Sequence, residues 1–435
     1  MPMQRADHVF EASGWSQDQA VEVGAGSRSD VRWRIAGMPN LHSHAFQRAM
    51  AGLAERQSDA NDSFWTWREL MYRFAGRITP DTQYAIASQL FVEMLEAGYT
   101  SVCEFHYLHH QPDGEPYDDR AAMSQAIIAA ARATGIRLTL LPVLYMSGGF
   151  DGRALGERQR RFGHTLDAYL SLLQSLRALE DPMLRVGVAF HSLRAVPEVA
   201  LREVMAAIDD PTMPVHIHIA EQIGEVQDCL AIRGARPVEW LLANAPVDSR
   251  WTLVHATHLE AEEIRGIARS GATVAICPTT EANLGDGLFP LRDYLQASGH
   301  WGIGSDSHVS VSPVEELRWL EYGQRLVTRR RNIAVSATQP STGELLYGQA
   351  LAGGLRSAGQ AEAATRDFVV LDDAAPVLAG ATAADLLDRL VFAGNRGIVD
   401  ETHVGGARVV AQGRHLRRES IAHDYGQAMR HLLAG

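Results

Sequence analysis

The stretch GMPNLHSHAFQRAMAG, residues 37–52, carries a His-x-His pair, His42 and His44, at the end of a short apolar run. In an extended chain residues i and i+2 point to the same side, so the two imidazoles form half of a metal site. The other half has to come from elsewhere, and similar runs recur. Eight are present, at 33–41, 100–107, 138–145, 184–191, 214–220, 251–258, 272–278 and 300–306. Amphipathic stretches lie between them at 82–97, 120–134, 166–179, 197–208, 259–270 and 313–329. Near-continuous apolar strands alternating with helices read as parallel strands covered on both faces. Eight such units predict an α/β protein built as a (β/α)8 TIM barrel.

Beyond about residue 343 the pattern changes. A helix at 345–357 leads into short β-like pieces at 367–371, 389–393 and 407–411, with turn signals at 394–397 and Gly405-Gly406. Residues 1–36 contain segments, such as 20–23 and 31–35, that read as short, irregular strands. Together these predict a barrel over 37–343 and a small flanking β-sandwich domain formed by both chain ends, 1–36 and 344–435.

Composition narrows the function. Of 435 residues, 46% are hydrophobic and 21% charged, which suffices for a large core. The formal net charge of -12, with no basic run beyond Arg329-Arg330-Arg331, argues against a nucleic-acid partner. The chain contains no lysine, which removes Schiff-base chemistry, the P-loop lysine and a carbamylated-lysine bridge between two metals. Cys103, Cys229 and Cys277 are far apart and form no disulfide framework, which fits a reducing compartment. The first ten residues lack an apolar signal core, and no run approaches the roughly 20 residues needed to span a bilayer. These features predict a cytoplasmic protein with no membrane association.

The active site of such a barrel lies at the C-terminal ends of its strands, and those ends are rich in ligands. They supply His42 and His44, then His106 and Tyr107, then His191 with Arg194 just beyond. After these come His216, His218 and Glu221, then His255 and His258, and finally Asp306 and His308. Zinc favours imidazole and carboxylate donors, with one position left to water. His42, His44, His218 and Asp306 supply that set, and the lack of lysine favours a single divalent ion. Such an ion lowers the pKa of bound water toward ~7. Asp306 can take the water's proton, Glu221 can carry it to an amine leaving group, and His255 can hold the nucleophile or polarise the bond under attack. There is no H-E-x-x-H, and His258-Leu259-Glu260 has no P-C-x-x-C to accompany it. Gly24-Ala25-Gly26 lacks the later glycine of a dinucleotide fingerprint.

Other residues carry plainer expectations. His216 reads as a hydrogen-bonded core histidine, and His109 and His110 as solvated loop residues. His164, His300 and His423 have no evident partners. His258 and His308 are candidates to support the ligands. Phe64, Trp65, Trp67, Tyr72 and Phe74 have helical spacing and suggest core or lid packing. Cys277 reads as a small buried apolar residue.

His42-Ser43-His44, the run His216 to Glu221, His255 and Ser305-Asp306-Ser307 together resemble the amidohydrolase superfamily, in its mononuclear deaminase branch. Within it, residues 37–55, 62–72, 97–110 and 216–222 look like the N-formimino-L-glutamate deiminases of histidine degradation. The resemblance covers the barrel and the flanking β domain. It implies hydrolysis of the formimino group to N-formyl-L-glutamate and ammonia, with zinc held by His42, His44, His218 and Asp306. It further implies Glu221 and His255 as the catalytic pair, and substrate contacts from Gln47, Arg68, Tyr107, His191 and Arg194. Arginine's planar fork suits such a dicarboxylate small molecule. A related deaminase of a nucleobase such as guanine is the alternative, and its pocket would not need paired arginines. A silent metal-binding barrel would need neither Glu221 nor His255. Barrels of this kind often associate, so a homodimer is a further expectation.

Overall fold

A computed structural model describes residues 2–56, 64–361 and 363–434. Eight parallel barrel strands follow one another as the apolar runs predict. The first four are Met38–Ser43, Tyr99–His106, Arg137–Leu144, and a strand interrupted at Gly187, Leu184–Val186 and Val188–Ser192. The last four are Val215–Ile219, Trp251–His255, Thr273–Ile276 and His300–Ile303. Each pairs in parallel with its sequence neighbour, and a parallel bridge between Ser43 and Asp306 closes the ring.

The helices form for local reasons. Pro80–Ala97 begins at Thr79, whose hydroxyl accepts from the Thr82 N–H, with Pro80 in the first turn. It ends at Gly98, where φ is 102°, a value that a side chain would resist. The chain then turns directly into the second strand. One core cluster packs outward-facing strand residues such as Val102, Leu140, Phe190, Ile217 and Leu253 against the helices. A second fills the barrel interior with Leu41, Phe105, Leu141, Val143, Val254 and Ala275. Among the described residues no helix is long and apolar enough to cross a membrane.

The flanking β domain is one continuous seven-stranded sheet contributed by both chain ends. Its order is Arg414–His415, Ala407–Ala411, Val399–Val404, Phe368–Leu371, Asp30–Ala36, Met3–Glu11 and Gly14–Glu22. Two expectations need correcting. The N-terminal segment is not short and irregular, because Met3–Glu11 and Gly14–Glu22 form a regular antiparallel hairpin of nine-residue strands. Residues 389–393 are not β-like, because Leu386–Phe392 is a helix that buries Leu386, Leu387 and Val391. The sheet is fastened to the barrel by a buried ion pair. Arg137, at the start of the third strand, donates from Nε to Asp367 Oδ2 at 2.7 Å and from Nη2 to Oδ1 at 2.8 Å, and both side chains are 2% exposed.

His109 and His110, expected in solvent, are instead buried and half-buried. Their rings pack on His164 with centroids 4.4 and 4.9 Å away, and His109 lies 5.1 Å from His106. His164 therefore has partners that the sequence did not reveal. Ring N–H groups of His109 and His110 donate to the carbonyls of Val143 (3.2 Å) and Gly163 (2.6 Å). Arg161 donates to the carbonyls of Ala75, Ile78 and His110, which ties this cluster to the end of helix Phe64–Ala75. Burial pushes His106 and His164 down to about 3 and His109 well below its ordinary value.

Two predictions follow from these buried groups. Removing one partner of the Arg137–Asp367 pair strands a buried charge, so Asp367→Ala should destabilise the fold by about 3–5 kcal/mol. A paired Arg137→Met, Asp367→Leu variant should recover most of that loss in denaturant unfolding. The histidine cluster is neutral when folded but protonates at about 6.5 when unfolded. At these rings the unfolded chain thus binds more protons below 6.5, and their contribution to stability falls as pH drops from there toward about 3. Replacing His164 with Gln in the metal-loaded protein should therefore make Tm fall less steeply across that window, and an unchanged slope would contradict this.

Candidate active site

The strand ends bring the predicted residues together. His42 Nε2 lies 3.1 Å from His44 Nε2 and 2.9 Å from His218 Nε2. Asp306 Oδ1 stands 3.4 Å from His44 Nε2 and 3.5 Å from His42 Nε2. The outer ring nitrogens fix two of the tautomers. His44 Nδ1 is 2.9 Å from the Phe105 carbonyl and His218 Nδ1 is 2.9 Å from the His191 carbonyl. A carbonyl only accepts, so both Nδ1 atoms carry protons and both Nε2 atoms turn bare lone pairs toward the same point. Burial among like rings drives His42 and His218 well below the ordinary range, and burial takes His44 to about 3. Burial also pushes the Asp306 carboxyl up to about 7. Lone pairs from three neutral imidazoles and a carboxylate whose ionised form needs a nearby cation are the donor set of a divalent metal site. His42, His44 and Asp306 all offer ligand atoms within 4.8 Å of one another, as do His42, His218 and His255.

A polar scaffold behind the ligands holds them in place. Ser43 Oγ donates to Glu104, whose other oxygen accepts the Ala45 N–H at 2.7 Å. His308 bridges Ser43 and Ser305 at 3.2 and 2.9 Å, and Asn40 donates to Ser305 at 2.7 Å. His308 is thus a supporting group. Burial raises Glu104 to about 8. His258 lies farther out and its backbone carbonyl accepts from Arg236. His216 is fully buried one layer deeper.

His255 reaches the site by a break in alternation. Along the sixth strand Trp251 and Leu253 face the helices and Val254 faces the interior, which would send His255 outward. A φ of 68° at His255 and 47° at Ala256 turns the ring inward instead. Its Nε2 comes to 3.9 Å from Glu221 Oε1 and 3.8 Å from Asp306 Oδ2. The neighbouring carboxylates hold the imidazole well above its ordinary pKa against the opposing effect of burial. Glu221 is set by Glu225, whose two oxygens accept the Ala220 and Glu221 N–H groups at 3.1 Å each.

Above this floor is a single pocket lined by Gln47, Arg68, Tyr107, His191 and Arg194, the predicted substrate contacts. Gln47 donates to the Tyr107 hydroxyl at 2.7 Å. The Arg68 guanidinium stacks 5.3 Å from the Tyr72 ring. The Arg194 charge acts on the Glu225 carboxyl, which lines the same pocket. The aromatic group expected to pack as core or lid lies on helix Phe64–Ala75, where Tyr72 and Phe74 are buried and Trp67 lines the pocket. The side chains of Phe64 and Trp65 lie outside the described residues, as do residues 62 and 63 of the quoted 62–72 stretch. Sequence reasoning missed Met71, Tyr145, Phe162 and Leu284 in the apolar wall. It also missed Glu225, Glu104 and Glu281. Apolar wall residues carry no chemical signal, and each of the three carboxylates occupies a position that also reads as an ordinary helix or strand residue.

The amidohydrolase family profile matches residues 34–342. Formimidoylglutamate deiminase from Pseudomonas aeruginosa is 50% identical, with 98% of this chain and 99% of that protein covered. An amidohydrolase structure from Brucella melitensis superposes with a TM-score of 0.94 at 42% identity, covering all of both chains. A zinc-bound adenosine deaminase structure from Xanthomonas campestris superposes at 0.78 with 20% identity, covering 100% of this chain and 98% of that one, and shares the fold. The chain belongs to the amidohydrolase family.

Proposed function

We propose that this protein hydrolyses N-formimino-L-glutamate to N-formyl-L-glutamate and ammonia. The observation that carries this reading is a metal-type acid–base floor under walls that hold Arg68 and Arg194 in one pocket. The 50% identity to a formimidoylglutamate deiminase supports it across almost the whole chain. His42, His44, His218 and Asp306 would hold one divalent ion, and their nitrogen and oxygen donors suit zinc while also accepting iron or nickel. When bound, the ion supplies Lewis acidity and an acidified water.

The remaining chemistry falls to the chain's own residues. Asp306 Oδ2, on the His255 side of its carboxylate, accepts a proton from the attacking water. Oxygen adds to the formimino carbon, and the C=N bond becomes a single bond in a tetrahedral centre. Glu221 carries the proton taken from water to the terminal nitrogen; the added hydroxyl then releases its own proton, which follows by way of Asp306 and Glu221, and the nitrogen leaves as neutral ammonia while the C=O bond forms. His255, charged between these carboxylates, steadies the negative charge that develops on the adding oxygen. The two substrate carboxylates lie against Arg68 and Arg194, with Gln47, Tyr107 and His191 lining the path between them and the reacting carbon. A small dicarboxylate is the partner these walls suit. Three buried free thiols fit a cytoplasmic setting.

The direct test is ammonia release from formiminoglutamate by metal-loaded protein, and its absence with metal bound would refute the proposal. Glu221→Gln should keep full metal content while kcat falls by ~10²-fold or more; normal turnover would remove Glu221 from the proton path. Arg194→Ala should raise KM for formiminoglutamate by about 10- to 10²-fold, the loss expected for a charge-assisted hydrogen bond. An unchanged KM would place the substrate carboxylates elsewhere.

A further inference from the structure

Glu281 has no part in the chemistry above, yet it is 3% exposed and lies directly behind a reacting group. It belongs to the short helix Pro278–Leu284 that follows the seventh barrel strand. Its Oε1 lies 2.9 Å from the Cys277 backbone nitrogen and 3.3 Å from His255 Nδ1. The opposite nitrogen of the same ring, Nε2, faces Glu221 and Asp306 at 3.9 and 3.8 Å. The imidazole is therefore bracketed along its long axis, with Glu281 behind it and the proton-handling carboxylates in front. The backbone makes this bracket necessary. His255 and Ala256 both have left-handed φ values, 68° and 47°, which are strained for residues that carry a side chain and persist only where surroundings hold them.

We propose that Glu281 is the positioning residue for His255. Its carboxylate accepts the Nδ1–H, which fixes both the ring's orientation and the nitrogen presented to the reaction. This rests on the reading of His255 as a catalytic group. The single oxygen that accepts from both Cys277 N–H and His255 Nδ1–H makes the role separable from charge. In Glu281→Gln the amide oxygen must remain where Cys277 N–H requires an acceptor, so the bond to Nδ1–H survives. In Glu281→Ala both bonds are lost.

The test is a double-mutant cycle on metal-loaded protein, with kcat, KM and metal content measured for each variant. Glu281→Ala should lower kcat by about 10²-fold or more with KM and metal content little changed. Glu281→Gln should stay within about tenfold of the unaltered protein. In a His255→Ala background Glu281→Ala should cost nothing further in kcat, because the group it positions is gone. The proposal is overturned if Glu281→Ala turns over normally, if Gln is as damaging as Ala, or if the Glu281→Ala loss persists in full without His255. Normal turnover by His255→Ala would instead overturn the reading of His255 on which the proposal depends.

Discussion

Two backbone hydrogen bonds determine most of what this structure can do. The Asp306 N–H donates to the His42 carbonyl at 2.9 Å, and the His44 N–H donates to the Asp306 carbonyl at 3.2 Å. They join the first barrel strand to the chain just past the eighth and so close the barrel. The residues that make these bonds also carry three of the four metal-type ligands. Closure and assembly of the site are therefore a single event, and one is not available without the other. Gly304 permits it, because a Cβ there would stand 2.7 Å from His42 Cβ and 2.9 Å from its nitrogen. Any side chain at that position would push the eighth strand away from the first and separate Asp306 from the histidines.

This coupling explains the large amount of buried polar structure around the seam. Asn40, Ser43, Glu104, Ser305 and His308 make a connected set of hydrogen bonds immediately behind the ligands. A buried polar group left unpaired costs about 1–3 kcal/mol, so a partly assembled network would work against the fold. Complete, it leaves the ligands few alternative orientations, which is what a metal site needs from its surroundings. The pocket walls follow a different logic. Arg68, Trp67 and Met71 come from helix Phe64–Ala75, outside the strand framework. That helix is anchored at its end by Arg161 bonds to the Ala75 and Ile78 carbonyls.

The eight strands were legible in the sequence because each is buried on both faces and so reads as an uninterrupted apolar run. The ligands were legible because imidazoles at the ends of such runs have few other uses. The N-terminal hairpin was not, since Gly14–Glu22 is polar and largely exposed along its length. Residues 389–393 misled in the opposite way. Their apolar content suggested a strand, while the helix depends on packing of Leu386, Leu387 and Val391 and on the pairing of Asp385 with Arg389 one turn on at 2.7 Å. His109 and His110 looked solvated among Gln111, Pro112 and Asp113, and only the approach of His164 and Arg161 from a later loop buries them.

Glu281 and the inward turn of His255 escaped for a more general reason. Reading a strand from its sequence assumes that side chains alternate between faces, and this holds only while the backbone stays extended. Of the ten non-glycine residues with positive φ among those described, five lie at the barrel's active-site end: Ala220, His255, Ala256, Asp306 and His308. Each such residue rotates the chain so that neighbouring positions can both face the axis. Strict alternation would supply only every second residue of each strand end, too few to place ligands and proton carriers around one carbon. The local strain, of order 1–3 kcal/mol per residue, is offset by the closed barrel and the buried network beneath it. Catalytic density in this fold thus comes from abandoning strand geometry at the strand's last residue, a change that leaves almost no trace in hydrophobic periodicity.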